Sequence, residues 1–178
     1  MERKLIIRNF GAIASADIAL KDFNIFIGEQ GAGKSTVAKL ITIFENSRDK
    51  VLKVDSDYLM TKFSEYNIIS YFNPDSYISY SSEQGDITYE DGSFNFTFSY
   101  HSTSHNLYIP AERFFISTFS RSIATLVLSK APIPVTLLEF ASFYEKAKNL
   151  FVNYQVPIFN IIFLSLIHIS EPTRPEPI

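Results

Sequence analysis

Apolar and polar positions change period several times along the chain, and each period predicts a different element. Leu5-Ile6-Ile7 is a short apolar run ending at the polar pair Arg8-Asn9. Ile18-Ala19-Leu20 is a second, with Gly11 near the turn between them, and both predict strands. Phe23 to Ile27 is mostly apolar, which predicts a buried central strand running directly into Gly28. From Ser35 to Asn46, Val37, Leu40, Ile41, Ile43 and Phe44 form the apolar face of a helix. Residues 47–66 are charged and mixed, and fit either a helix or an irregular segment.

From Tyr71 to Ile109 aromatic and β-branched residues alternate with polar ones, the period of an antiparallel sheet. Asp91-Gly92 lies between two such runs and predicts a tight hairpin, because both residues tolerate positive φ. Phe94, Phe96, Phe98 and Tyr100 alternate with period two, so they predict a buried sheet face in preference to a base-stacking platform. Leu107-Tyr108-Ile109 predicts a further strand, stopped by Pro110. Helices are expected over Ala111–Leu128 and from about Thr136, a candidate cap, to Phe151, with Pro132 and Pro134 breaking the path between them. The fold class expected is α/β: strands, loop and first helix over 3–46, an antiparallel β section over 71–109, and a helical section over 111–152.

Gly28-Glu29-Gln30-Gly31-Ala32-Gly33-Lys34-Ser35 satisfies every fixed position of G-x-x-x-x-G-K-[ST], with an apolar run before it and an amphipathic helix after it. Such a loop wraps a phosphate chain with backbone N–H groups and the positive end of the helix dipole. Gly28, Gly31 and Gly33 allow turns and close approach without a Cβ. Lys34 would reach the β- and γ-phosphates and carry the catalytic role. Ser35 would place its hydroxyl on magnesium, and Thr36 would approach the α-phosphate. The expected ligand is ATP with magnesium, bound by residues 28–36; the chemistry alone does not separate ATP from GTP. A chance match to four fixed positions arises in about one in a hundred chains of this length, and the flanking elements lower that further.

Composition narrows the setting. Of 178 residues, 46% are hydrophobic and 20% charged, which suits a globular domain with a core of its own. A net charge of −3 argues against a strongly basic nucleic-acid surface in this segment. There is no cysteine, so disulfides and thiolate metal sites are excluded. Met1 to Lys4 lacks the pattern of a signal peptide, and polar residues and Pro157 interrupt the apolar stretch 150–169, so the expectation is a cytoplasmic chain with no membrane span.

Lys4 to Ile13, with its Asn9-Phe10-Gly11 turn, followed by Asn24 to Thr36, resembles the opening of SMC, RecF and OLD-type ATPases, which group with ABC-type proteins and carry the label AAA-family ATPases. The resemblance covers residues 3–45, and Tyr108-Ile109-Pro110-Ala111-Glu112-Arg113 is similar to a shorter stretch in bacterial members. It implies a P-loop NTPase head of the ABC/SMC-like type, an ATP site shared between two heads in a homodimer, and DNA contacts through regions not present here. It also implies DNA repair or phage defence as settings. The family's acidic strand, catalytic glutamate and Ser-Gly-Gly signature do not occur in this sequence. The expectation is therefore an ATPase in its full-length form and weak or no turnover in this chain. The alternatives are another P-loop enzyme, such as a kinase or GTPase, and an inert nucleotide-binding fragment.

Leu164 to Arg174 resembles the frame translation of a transposon adapter used in sequencing libraries. On that resemblance, residues 1–163 are expected to be a truncated head and 164–178 a non-native tail. Other residues have two readings each. Arg113 is a nucleotide sensor or a solvated arginine, and Glu112 a base or its ion-pair partner. Arg8, Asn9 and Phe10 are adenine neighbours or a plain turn with a packed ring. His101 and His105 lack the further ligands that a metal site needs.

Overall fold

Arg3–Phe10 (β1) and Ile13–Leu20 (β2) pair antiparallel around a tight turn, with Phe10 opposite Ile13. Both strands extend beyond the apolar runs that predict them, because Arg8, Asp17 and Lys4 occupy the solvent-facing positions of the pleat. Gly11 sits at φ +56, and a Cβ there would lie 2.7 Å from the Tyr71 ring, so the turn admits only glycine. In this computed structural model the described residues are 3–47, 55–83, 85–98, 106–111, 125, 128–130 and 132–154.

After the loop, Lys34–Ser47 forms α1 and Ser56–Glu65 forms α2. Asp55 caps α2, its side chain accepting a 2.8 Å bond from the Tyr58 N–H. Three strands follow: Tyr77–Ser82 (β3), Gly85–Glu90 (β4) and Ser93–Phe98 (β5). The sheet order is β2-β1-β3-β4-β5, antiparallel at every step. Asp91 and Gly92 make the β4–β5 hairpin with φ of 50° and 78°, as their sequence predicts.

One face of the sheet buries Leu5, Ile7, Ile78, Tyr80, Ile87, Tyr89 and Phe94, in one core with Leu40, Ile43 and Phe44 of α1 and Leu59 and Phe63 of α2. Phe63 is its hub, with ring centroids at 4.9 Å from Phe72, 5.7 Å from Phe94, 5.9 Å from Phe10 and 6.1 Å from Phe44. The opposite face carries small polar residues, among them Ser79 and Thr88, whose hydroxyls meet at 3.4 Å.

Three expectations are corrected. Residues 23–27 form no strand, and Phe23, Ile25 and Ile27 are 69%, 67% and 88% exposed. The five strands pair only with one another, so this apolar run has no ladder to join among the described residues. Residues 107–109 form no strand either, because the segment is tied to a helix: the Asn46 amide donates to Asn106 O and accepts from Asn106 N, each at 2.7 Å. The last helix, α3 (Val135–Tyr154), starts one residue before Thr136, which is therefore inside the first turn and buried. Of the helix expected over 111–128 only Ala111, Thr125 and Leu128 are described; Thr125 and Leu128 are helical, and Ser129 N donates to Thr125 O at 2.9 Å. The adapter-like tail lies outside the described residues.

Residues 1–141 and 142–178 are separate compact units. Everything described above up to Ala141 belongs to the first. In the second, the described residues are helical through Tyr154, with Lys146 Nζ 5.5 Å above the Phe143 ring. Among the described residues no helix is long and apolar enough to cross a membrane.

Candidate functional site: the Gly28–Thr36 loop

The chain leaves β2 through a turn closed by Asn24, whose Oδ1 accepts from Lys21 N at 3.0 Å and whose Nδ2 donates to Lys21 O at 2.7 Å. Arg3 holds the same turn from β1, with Nη2 3.2 Å from Lys21 O and 3.4 Å from Asp22 Oδ1. Residues 23–27 then lead to the loop. Within it Ala32 N donates to Glu29 O at 3.3 Å, making a tight turn. Gly31 and Gly33 take φ of +84° and +86°.

Val37 N donates to Gly33 O at 3.0 Å, the first bond of α1. Helix geometry leaves the N–H groups of Lys34, Ser35 and Thr36 without intrahelical acceptors. No acidic residue lies in that first turn to neutralise the positive end of the dipole. Lys34 folds over the loop, its Nζ donating to Gly28 O at 2.6 Å and to Glu29 O at 2.5 Å. Ser35 is exposed at the helix start, whereas Thr36 is buried beneath it. The loop can therefore offer a cation, three helix N–H groups and one exposed hydroxyl at the start of α1.

The neighbouring turn is arranged for packing. Phe10 is wholly buried and edge-on to Phe63, Phe72 and Tyr71, so it presents no face to a base. Arg8 grips Asp17 at 2.9 and 3.0 Å and donates to Ala16 O at 3.0 Å. Asn9 takes φ 50°, and its carbonyl accepts from Asn73 Nδ2 at 2.6 Å and Ser76 Oγ at 2.5 Å. Of the two readings of residues 8–10, a plain turn with a packed ring is the one present. His101, His105, Glu112 and Arg113 lie outside the described residues.

A groove of about 420 Å³ lies elsewhere in the first unit, lined by Thr61, Glu65, Pro134 and their neighbours, and none of residues 28–36 lines it. That groove thus does not coincide with the loop's chemistry; helix-terminus anion sites need exposed N–H groups and no deep cavity. Burial raises the Tyr66 phenol well above its usual range of 10.0, and Glu139, accepting from Tyr66 Oη at 3.3 Å, raises it further.

Four residues around the loop are missed by motif reading. Ile13 packs directly against Gly33. Glu45 on α1 accepts the Tyr80 hydroxyl and lies 3.6 Å from Arg3 Nη1. These contacts join residues tens of positions apart, and no local pattern encodes them.

No curated protein matches the chain. A family model described as AAA ATPase domain matches residues 1–159, nearly the whole chain, including β1, β2, the loop and α1. With that match spanning the glycine-rich loop and the helix it feeds, the chain belongs to the AAA ATPase domain family, a family of nucleotide-binding proteins.

Proposed function

We propose that the chain binds ATP with magnesium at Gly28–Thr36. One observation carries this reading: Gly33 caps α1 while Lys34 lies across the loop carbonyls, so a cation and free helix N–H groups lie together at the start of α1. Gly28, Glu29, Gln30, Gly31, Ala32 and Gly33 supply the backbone wrap, and a Cβ at Gly31 would meet nothing within 4 Å, so the outer side of the loop is open to a phosphate chain. Lys34 exchanges its carbonyl partners for the β- and γ-phosphates. Magnesium fits the donors present, because it binds through few protein oxygens together with substrate phosphates, and Ser35 offers one exposed hydroxyl. Magnesium, when bound, neutralises phosphate charge.

The finer assignment is to an SMC/RecF/OLD-like ATPase head of the ABC type, acting as a homodimer in the cytoplasm and touching DNA in repair or phage defence. The Asn9-Phe10-Gly11 turn before the loop supports it. Hydrolysis needs groups that position water and offset charge. The sequence has no apolar strand ending in Asp-Glu and no Ser-Gly-Gly signature to supply them. The reading for this chain is therefore nucleotide binding with little turnover of its own.

Titrating the 178-residue chain with fluorescent ATP and magnesium, beside Lys34→Ala, tests the assignment. Affinity should fall at least about tenfold in the variant, as loss of a charge-assisted contact predicts. Equal affinity in the two proteins would overturn it.

A further inference from the structure

Glu45 is a buried carboxylate, 7% exposed, eleven positions along α1 from Lys34 and so about 16 Å away along the axis. It accepts the Tyr80 hydroxyl from β3 and lies 3.6 Å from Arg3 Nη1. The other Arg3 nitrogen, Nη2, reaches Lys21 O and Asp22 at 3.2 and 3.4 Å, at the base of the segment that enters the loop. The chain leaves the loop as α1. Arg3 and Glu45 therefore tie the incoming arm to the outgoing one at the end opposite the glycines.

We propose that Glu45 is a positioning residue for nucleotide binding, holding the two arms of the Gly28–Gly33 loop in register through Arg3 and Tyr80. The proposal rests on the reading of that loop as the phosphate site.

Three observations carry it. Residues 25–27 make no backbone hydrogen bond among the described residues, so the incoming arm is held at its two ends, by Arg3 and Asn24 below and by Gly33 on Ile13 above. Glu45, Lys34 and Ser35 lie on one unbroken helix, so a small rotation of α1 at Glu45 displaces Lys34 and Ser35 at its far end. Finally, a carboxylate is a poor choice for stability here. Burying a charge is costly, and well-packed apolar substitutes for buried polar groups are often as stable. Arg3 is partly exposed, so its attraction to Glu45 is screened. A hydrogen-bonded carboxylate instead supplies direction, which apolar packing lacks.

The test uses the full chain with Glu45→Leu/Tyr80→Phe, Tyr80→Phe and Glu45→Gln. Three quantities are measured: melting temperature, ATP–magnesium affinity well below melting, and the ³¹P resonance of the bound β-phosphate. The double variant should melt near the wild type, bind ATP about tenfold more weakly and shift the β-phosphate resonance. Glu45→Gln, which still accepts the Tyr80 hydroxyl, should recover most of the affinity. If the double variant does not fold, Tyr80→Phe carries the test, with a smaller loss in the same direction. Folded variants that bind like wild type with an unshifted resonance overturn the proposal. So does an affinity loss that only follows the melting temperature. A wild-type chain that binds no ATP fails differently: it removes the loop reading itself, and the positioning role with it.

Discussion

Gly33 stands against Ile13 so closely that a Cβ on Gly33 would lie 2.5 Å from Ile13 Cγ1 and 3.0 Å from Cδ1. The first residue of β2 thereby sets how near the loop's last glycine comes to the sheet. Gly33→Ala meets two penalties, the contact itself and a φ of +86° that L residues rarely adopt. The variant should lose about 2 kcal/mol or more of stability and lose nucleotide affinity. Adding Ile13→Ala should relieve the contact without relieving the backbone strain. Ile13 is a buried core residue, so its own truncation is costly and the comparison is made as a cycle: calorimetry on all four proteins should find Gly33→Ala less costly beside Ile13→Ala than in the wild type, and no remaining cost there would mean that φ carries none.

Local chemistry made much of this fold legible. Asp91-Gly92 announces its hairpin because the φ values it needs are a property of those two residues. The apolar spacing from Val37 to Phe44 likewise marks α1, whose loop is marked by its glycines. What failed depended on neighbours. Phe23–Ile27 has the texture of a buried strand, yet texture does not say which strand will pair with it. Leu107–Ile109 looks like a strand until Asn46, sixty positions earlier, takes both hydrogen-bonding groups of Asn106. In α2 the signal was present but diluted: Asp55 as cap, with Leu59 and Phe63 one turn apart, among charged residues.

That helix can be weakened at two separable points. Phe63 is fully buried among four aromatic neighbours, so Phe63→Ala should cost about 3–5 kcal/mol. Asp55→Ala removes only the cap and should cost about 1 kcal/mol. Urea denaturation measures both, and the order of the two losses is the decisive outcome. A cap variant as damaging as the core variant would mean that α2 is held by its first turn and not by its buried face.

Alkaline stability has a defined origin in the same region. Burial and Glu139 raise the Tyr66 phenol above 10.0. Burial lowers Lys62, but the hydrogen bond and charge of Glu65 outweigh it and hold its ammonium above 10.5. Both groups bind their protons more tightly folded than unfolded. Their stabilisation is fully present below pH 10 and is lost as pH rises beyond it. Tyr66→Phe should flatten the alkaline fall in stability and leave the curve below pH 9 nearly parallel to wild type. Thermal melts across pH 7 to 11.5 follow it, and an unchanged alkaline slope would place the sensitivity elsewhere.

Ser35 and Thr36 are adjacent on α1 but face different surroundings, one exposed and one buried. If the exposed hydroxyl meets magnesium, its removal should affect only binding that involves the metal. Ser35→Ala should therefore reduce ATP affinity in magnesium by about tenfold, while affinity in excess chelator stays near wild type. Thr36→Ala should show the opposite balance, losing stability from the buried hydroxyl and keeping the magnesium dependence. The two titrations, each run with magnesium and with chelator, separate a metal contact from packing. A Ser35→Ala protein whose affinity still rises with magnesium as the wild type's does would remove the serine from the metal site while leaving the loop's phosphate chemistry to Lys34 and the glycines.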